Sequence, residues 1–152
     1  LSKYLESPDK PFLRPKEVEF KFKIKLKEPL SGKELDIQVK GVIDLVTKDE
    51  MIVDHKVVTS IWREEDIYTN MQATFYWMAY RSIYGKDPRA FVFNFLVKRV
   101  KEPRFDAQAT IRNEGHMLFL VEYAQDIINK IRAGEFPSNP NCRRCLYREL
   151  EY

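Results

Sequence analysis

Met51-Ile-Val-Asp-His-Lys-Val-Val58 is an apolar, β-branched run broken only by its three central polar residues, and its reading decides the fold. Such a run is a strand, and residues two apart on a strand project from one face about 7 Å apart. Asp54 and Lys56 therefore share a face, and His55 points to the other. Just upstream, Leu35, Ile37 and Val39 alternate with Glu34, Asp36, Gln38 and Lys40, the pattern of a strand with one wet face. Asp44 keeps that polar parity but lies past Gly41 and among Val42, Leu45 and Val46. A carboxylate carried into apolar surroundings needs a partner. If the two strands pair through the short Lys48-Asp-Glu50 turn, Asp44 and Asp54 converge.

Working outward, Glu17, Glu19, Lys21, Lys23, Lys25 and Lys27 alternate strictly with Val18, Phe20, Phe22, Ile24 and Leu26. Pro29-Leu-Ser-Gly32 punctuates this strand as a turn, so it forms an antiparallel hairpin with the segment from Glu34. From Arg63 to about Ile83 the spacing predicts one helix, with Glu64, Glu65 and Asp66 in its first turn and Ile67, Met71, Phe75 and Met78 inward. Tyr68, Gln72, Tyr76 and Tyr80, each four apart, make a polar-aromatic edge beside that stripe, and Gly85-Lys-Asp-Pro88 ends the helix. Phe91 to Val97 reads as a strand buried on both faces, followed by a basic exit of Lys98, Arg99, Lys101 and Arg104. A last amphipathic helix runs from Glu114 to Ala133 with Met117, Leu120, Val121, Ala124, Ile128 and Ile131 inward and Gly134 as its C-cap. The fold class is α/β: a mixed central β-sheet of four or five strands flanked by helices.

The 152 residues, 44% hydrophobic and 13% aromatic, fit one globular domain over 1–152 with a cysteine-containing tail at 138–152. Lys+Arg 26 against Asp+Glu 23 leaves a net charge of only +3, so contact with nucleic acid has to come from local patches. No apolar run approaches the roughly 18 residues of a membrane span, and the first residues lack the layout of a signal peptide, so the expected location is cytoplasmic with no membrane partner. The chain starts at Leu1 without methionine, which leaves room for a preceding portion. Cys142 and Cys145, three positions apart, are not a secreted disulfide framework.

Two carboxylates and a lysine on adjoining strands are a minimal device for holding a divalent metal against a phosphodiester. An Asp-x-Lys alone is usually a surface ion pair, but here both flanks are apolar. The tyrosine and glutamine edge is by default the shoulder of a packed helix, and the basic exit a solvated loop, although a groove that tracks phosphates wants such a lining.

Together these residues resemble the RecB-like branch of the PD-(D/E)XK nuclease superfamily, found in helicase-nucleases, CRISPR-associated exonucleases and phage recombination nucleases. The match is Gly41-x2-Asp44, then Asp54-x-Lys56, then Gln72-x3-Tyr76, in strand, strand, helix order, within a likeness covering about Val18 to Cys145. It implies a restriction-endonuclease-like fold and a metal-dependent DNA nuclease, an exonuclease acting from a free end of single- or double-stranded DNA in repair, recombination or phage replication, with a possible helicase or recombination partner. A catalytically silent DNA-binding or scaffolding module with the same fold is the alternative.

The resemblance also implies roles. Asp44 and Asp54 are similar to the metal-binding acids, joined by the backbone carbonyl of His55, for Mg2+ or Mn2+. Lys56 resembles the residue that orients water or steadies phosphate charge, and Gln72 and Tyr76 resemble the motif that contacts the DNA beside the metal. Lys98 and Arg99 are candidate DNA contacts. An upstream ligand is common in the family, and Glu19 or Glu17 is nearest, but both share a face with four lysines, as a solvated strand edge would. Ile43 stands where the superfamily's name has proline. Cys142-Arg-Arg-Cys145 matches two of the four cysteines of the family's iron–sulfur cluster, Glu151 stands at the third, and two thiolates cannot close such a site. A redox or metal-sensing domain built on that pair is a third reading.

Overall fold

The computed structural model describes residues 14–98 and 104–135. The chain falls into two compact units, Leu1–Val121 and Glu122–Tyr152. The first carries a five-stranded sheet in the order β1 (Pro15–Lys27), β2 (Glu34–Thr47), β3 (Met51–Val58), β4 (Ala90–Val97) and β5 (Arg104–Thr110). Three neighbouring pairs are antiparallel and β3–β4 is parallel, so the sheet is mixed as expected. The parallel step needs a crossover. Helices α1 (Glu64–Tyr68) and α2 (Met71–Tyr84) supply it between β3 and β4. A third helix, α3 (Glu114–Arg132), begins in the first unit and continues into the second.

The alternation of β1 becomes burial of Phe22, Ile24 and Leu26 against exposure of Lys21, Lys23, Lys25 and Lys27. At the tip of the hairpin the Glu28 carboxylate accepts from the backbone N–H groups of Leu30 (3.0 Å) and Ser31 (2.6 Å). These bonds hold its pKa below the usual carboxylate range. Phe91, Phe93 and Phe95 of β4 are fully buried, and Trp62 packs on the last two with ring centroids 5.3 and 5.4 Å away.

The helix expected from Arg63 to Ile83 is two helices. Thr69 and Asn70 interrupt it, and the Asn70 side chain caps α2 by accepting from the Ala73 backbone N–H at 3.0 Å. The break rephases the apolar stripe. Ile67 and Met78 are buried as expected, but Met71 is exposed and Phe75 half-buried, while Ala73, Thr74, Trp77 and Tyr80 form the inner face. Tyr80, placed on the polar edge by spacing, lies in the core, and Tyr68 belongs to the separate helix α1.

Gly85 ends α2 with φ of 71°, a left-handed cap that glycine adopts without strain. Beyond it Asp87 is tied back to the helix: Arg81 Nε and Nη2 donate to its two oxygens at 2.5 and 2.6 Å, and Trp77 Nε1 donates at 2.9 Å. The Arg81 guanidinium is the first cause of the low pKa of Asp87. A pKa depressed by folding adds stability above the unfolded value, and that stability is lost as pH falls through the folded one. Asp87→Asn should therefore lower the Tm by a few degrees at neutral pH, and the difference should close when melts are repeated below the ordinary carboxylate range. A difference independent of pH would remove the ion pair from the account.

Arg104, expected in a loop, instead opens strand β5, which pairs with β4 along its length. In α3, Met117, Leu120 and Val121 are buried in the first unit, whereas Ile131, expected inward, is exposed. Arg99, Lys101, Cys142, Cys145 and Glu151 lie outside the described residues.

Candidate active site

Strand β2 alternates between exposed and covered positions until Ile43, after which Leu45, Val46 and Thr47 are all buried. Asp44 sits where the wet face turns into the core. Leu45 pairs with Val53 and Val46 with Ile52, so one further step of the register sets Asp44 opposite Asp54, the expected convergence. The Asp44 carboxylate lies against the neighbouring strand, its Oδ2 accepting from the His55 backbone N–H at 2.9 Å. The His55 side chain points to the other face, where its Nδ1 meets Asn94 Nδ2 at 3.1 Å. An amide NH2 can only donate, so Nδ1 accepts and the ring proton belongs on Nε2.

Asp54 is only 2% exposed. Burial is the first cause that raises its pKa, the Asp44 charge raises it further, and Lys56 opposes both. Lys56 Nζ stands 2.8 Å from Asp54 Oδ2. That is an ion pair by distance but too oblique for a directed hydrogen bond, which leaves Oδ2 without an aligned donor. Lys56 donates instead to Gln72 Oε1 at 2.9 Å, and Gln72 Nε2 donates to Asp54 Oδ1 at 3.0 Å and to Tyr76 Oη at 3.1 Å. The amide can face only this way, oxygen to the ammonium and nitrogen to the carboxylate. Five residues separated by up to 32 positions in the chain thus meet, with Gln72 and Tyr76 one turn apart on α2 bridging to β3.

Two features place that helix. Gly41 leaves room for an aromatic pair: a Cβ built there would stand 2.7 Å from Phe22 Cζ and 3.5 Å from Tyr76 Cε1. The Phe22 and Tyr76 rings meet edge to face at 5.8 Å. Arg112, only 4% exposed, spreads its guanidinium over the start of α2, donating to Ile67 O (3.0 Å), Asn70 O (3.1 Å) and Thr74 Oγ1 (2.9 Å), and to Thr110 Oγ1 (2.7 Å). Burial lowers its pKa. Nothing in the sequence marked Arg112, because its acceptors are mostly backbone oxygens up to 45 residues away. Arg112→Met removes these donors and should cost about 2–3 kcal/mol, or about 5–10 °C of Tm in a chain of this size, measured by thermal circular dichroism. An unchanged Tm would show that the clamp is dispensable.

Glu19 pairs in register with neither neighbour's partner but lies between the Val18–Leu45 and Phe20–Ile43 pairs, across from Asp44, with φ of 48° and an exposed side chain. Such a φ is uncommon for a residue other than glycine. Among the described residues no three Asp, Glu, His or Cys side chains form one cluster able to hold a metal, so Asp44 and Asp54 stand as a pair without Glu19. The pair still fits a hard divalent cation: both donors are carboxylates, and the buried Asp54 Oδ2 lacks an aligned hydrogen-bond donor. Lys98 is exposed at the end of β4, its backbone N–H bonded to Val58 O at 2.8 Å.

A model of the PD-(D/E)XK nuclease superfamily matches residues 1–150. Among solved structures, the fold is similar to a candidate exonuclease from Eubacterium rectale, with a TM-score of 0.69 and 18% identity over 99% of this chain and 57% of that one. The protein SSO0001 superposes with a TM-score of 0.50 and 15% identity, over 88% of this chain and 58% of its own. The chain thus spans less than two thirds of either structure, and at such identities the likeness is one of fold. A comparison with curated proteins gives no match. The family match over nearly the whole length and the restriction-endonuclease-like mixed sheet agree: the chain belongs to the PD-(D/E)XK nuclease superfamily.

Proposed function

We propose that this chain is a RecB-like, metal-dependent DNA nuclease that hydrolyses phosphodiester bonds from a free end. The observation that carries this reading is Asp54, buried, opposite Asp44 in register and tied to Lys56 and Gln72. A structural ion pair has no need of a second carboxylate across the strand, and burying two like charges together is costly unless a cation joins them.

Asp44 and Asp54 would hold the ion, Mg2+ or Mn2+, with the His55 carbonyl as a further oxygen donor. When bound, such an ion supplies neutralising charge for the phosphate and makes a coordinated water easier to deprotonate. Lys56 sets an ammonium beside the carboxylates, where it stabilises negative charge growing on the phosphate oxygens. Gln72 holds Asp54 and Lys56 in mutual register, and Tyr76 braces Gln72. Lys98 belongs to the DNA path as a phosphate contact, and repair, recombination or phage replication is the setting in which an end-dependent activity serves, beside a helicase or recombination partner.

End dependence is tested by comparing linear duplex, closed circular duplex and single-stranded DNA with magnesium or manganese. Linear substrates should shorten progressively while the closed circle stays intact. Cutting of the closed circle would make the enzyme an endonuclease.

A further inference from the structure

A cleft of about 410 Å³ opens on the other side of the start of α2 from Gln72, lined by Tyr68, Thr69, Met71, Asn113, His116 and Phe119 among others. Tyr68 is 53%, Met71 42% and Phe119 61% exposed, so flat apolar side chains stand at its mouth in water. The Tyr68 ring meets the His116 ring edge to face at 4.6 Å, which fixes the orientation of both.

The polar end of the cleft is also built. Asn113 Oδ1 accepts from the His116 backbone N–H at 3.1 Å, so its amide orientation is fixed, and His116 Nδ1 lies 2.6 Å from that same oxygen. Two acceptors that close would repel, so Nδ1 carries the proton and Nε2 keeps a lone pair. The longer 3.3 Å approach of the Asn113 backbone N–H to Nδ1 is then a contact rather than a hydrogen bond. Nε2 is buried and has no hydrogen-bond partner. Arg112 and burial both keep the ring neutral by lowering its pKa. The cleft therefore offers flat apolar surface together with one unanswered acceptor.

We propose that this cleft takes an unpaired nucleobase of the DNA strand being cut, stacked on Tyr68 and Phe119 with a donor of its edge on His116 Nε2. The proposal rests on the reading of the chain as a DNA nuclease. Its ground is continuity: Met71 and Gln72 are consecutive in the first turn of α2, so the strand that passes Gln72 at the carboxylates crosses the helix end to reach the cleft. A helix with its side chains is about 10 Å wide. At roughly 3.4 Å per nucleotide along a strand, the base in the cleft lies about two or three nucleotides from the cut phosphate. Within a duplex a base already has both faces stacked and its edge paired, so the cleft serves only a base that is out of the duplex.

The test uses a short single-stranded oligonucleotide carrying one 2-aminopurine, moved position by position, with the intact chain in chelator so that binding is read without cleavage. Fluorescence should be quenched when the probe occupies one or two adjacent positions near the bound end. Tyr68→Ala and Phe119→Ala should abolish that quenching and weaken single-strand binding by about tenfold each, without weakening binding of a blunt duplex. Both side chains are exposed, and circular dichroism checks that the variants fold. If DNA binds and, with metal, is cut, but quenching and affinity are unchanged in both variants, the cleft is not a base site and the nuclease reading stands. If the cleft binds a peptide or a second copy of the chain in place of DNA, the proposal is likewise overturned. If the intact chain neither binds nor cuts DNA, the nuclease reading falls and the proposal falls with it.

Discussion

Asparagine in place of Asp54 is expected to slow DNA cleavage by about a thousandfold, the equivalent of about 4 kcal/mol of transition-state stabilisation, while the Tm stays within a few degrees. The two halves of this result come from different oxygens. Oδ1 accepts from Gln72 at 3.0 Å, and an asparagine carbonyl can accept the same bond, so the tie between β3 and α2 survives. Oδ2 has no aligned donor and faces Lys56 as an anion, so replacing it with NH2 removes the charge that would hold a cation. Lys56, with its side chain 25% exposed, can turn toward water. Single-turnover cleavage beside a thermal melt separates the two effects. A variant that unfolds would show Asp54 to be structural, and a variant that cuts at the normal rate would exclude it from the chemistry.

The second large effect is expected from Lys56→Ala. Removing one positive group aimed at developing phosphate charge should lower the turnover rate by about a hundredfold, with DNA affinity changed by no more than about threefold. The ammonium is poised for this by Asp54 at 2.8 Å and Gln72 at 2.9 Å, which fix it on the face shared with the carboxylates. Because the two residues act as one unit, the double variant Asp54→Asn with Lys56→Ala should be little slower than Asp54→Asn alone. Losses that simply add, or a Lys56→Ala defect confined to binding, would contradict the proposed role.

Much of this was legible in the sequence because strands announce their faces. The strict alternation of β1 and the apolar flanks of Asp54 and Lys56 located the hairpin and β3, whose bounds are Met51 and Val58 as read. The meeting of Asp44 and Asp54 followed from parity and a short turn, since cross-strand neighbours are set by register. The long helix was misread because its apolar spacing continues through Thr69 and Asn70. The signal against it was local: an asparagine able to cap at Asn70, three residues before Ala73. Strand β5 was missed because its inward positions are alanines at 107 and 109, too small to give a clear period. Arg112 and the His116 cleft could not be read at all. Their partners are carbonyls and rings brought together from α1, α2 and α3, and no spacing in the chain encodes those contacts. The resemblance supplied the roles of Gln72 and Tyr76, whereas the structure adds how they reach the acids: Gln72 bonds Asp54 and Lys56 at once, and Tyr76 stands behind it.

The most direct measurement is cleavage of linear single- and double-stranded DNA, labelled at either end, by the intact protein with magnesium, manganese or chelator. The account expects products that start at an end with either metal and none in chelator, with Asp54→Asn inactive throughout. Cleavage that persists in chelator, or the absence of any cleavage with either metal from a protein that binds DNA, would contradict it, the latter leaving a silent DNA-binding module of the same fold.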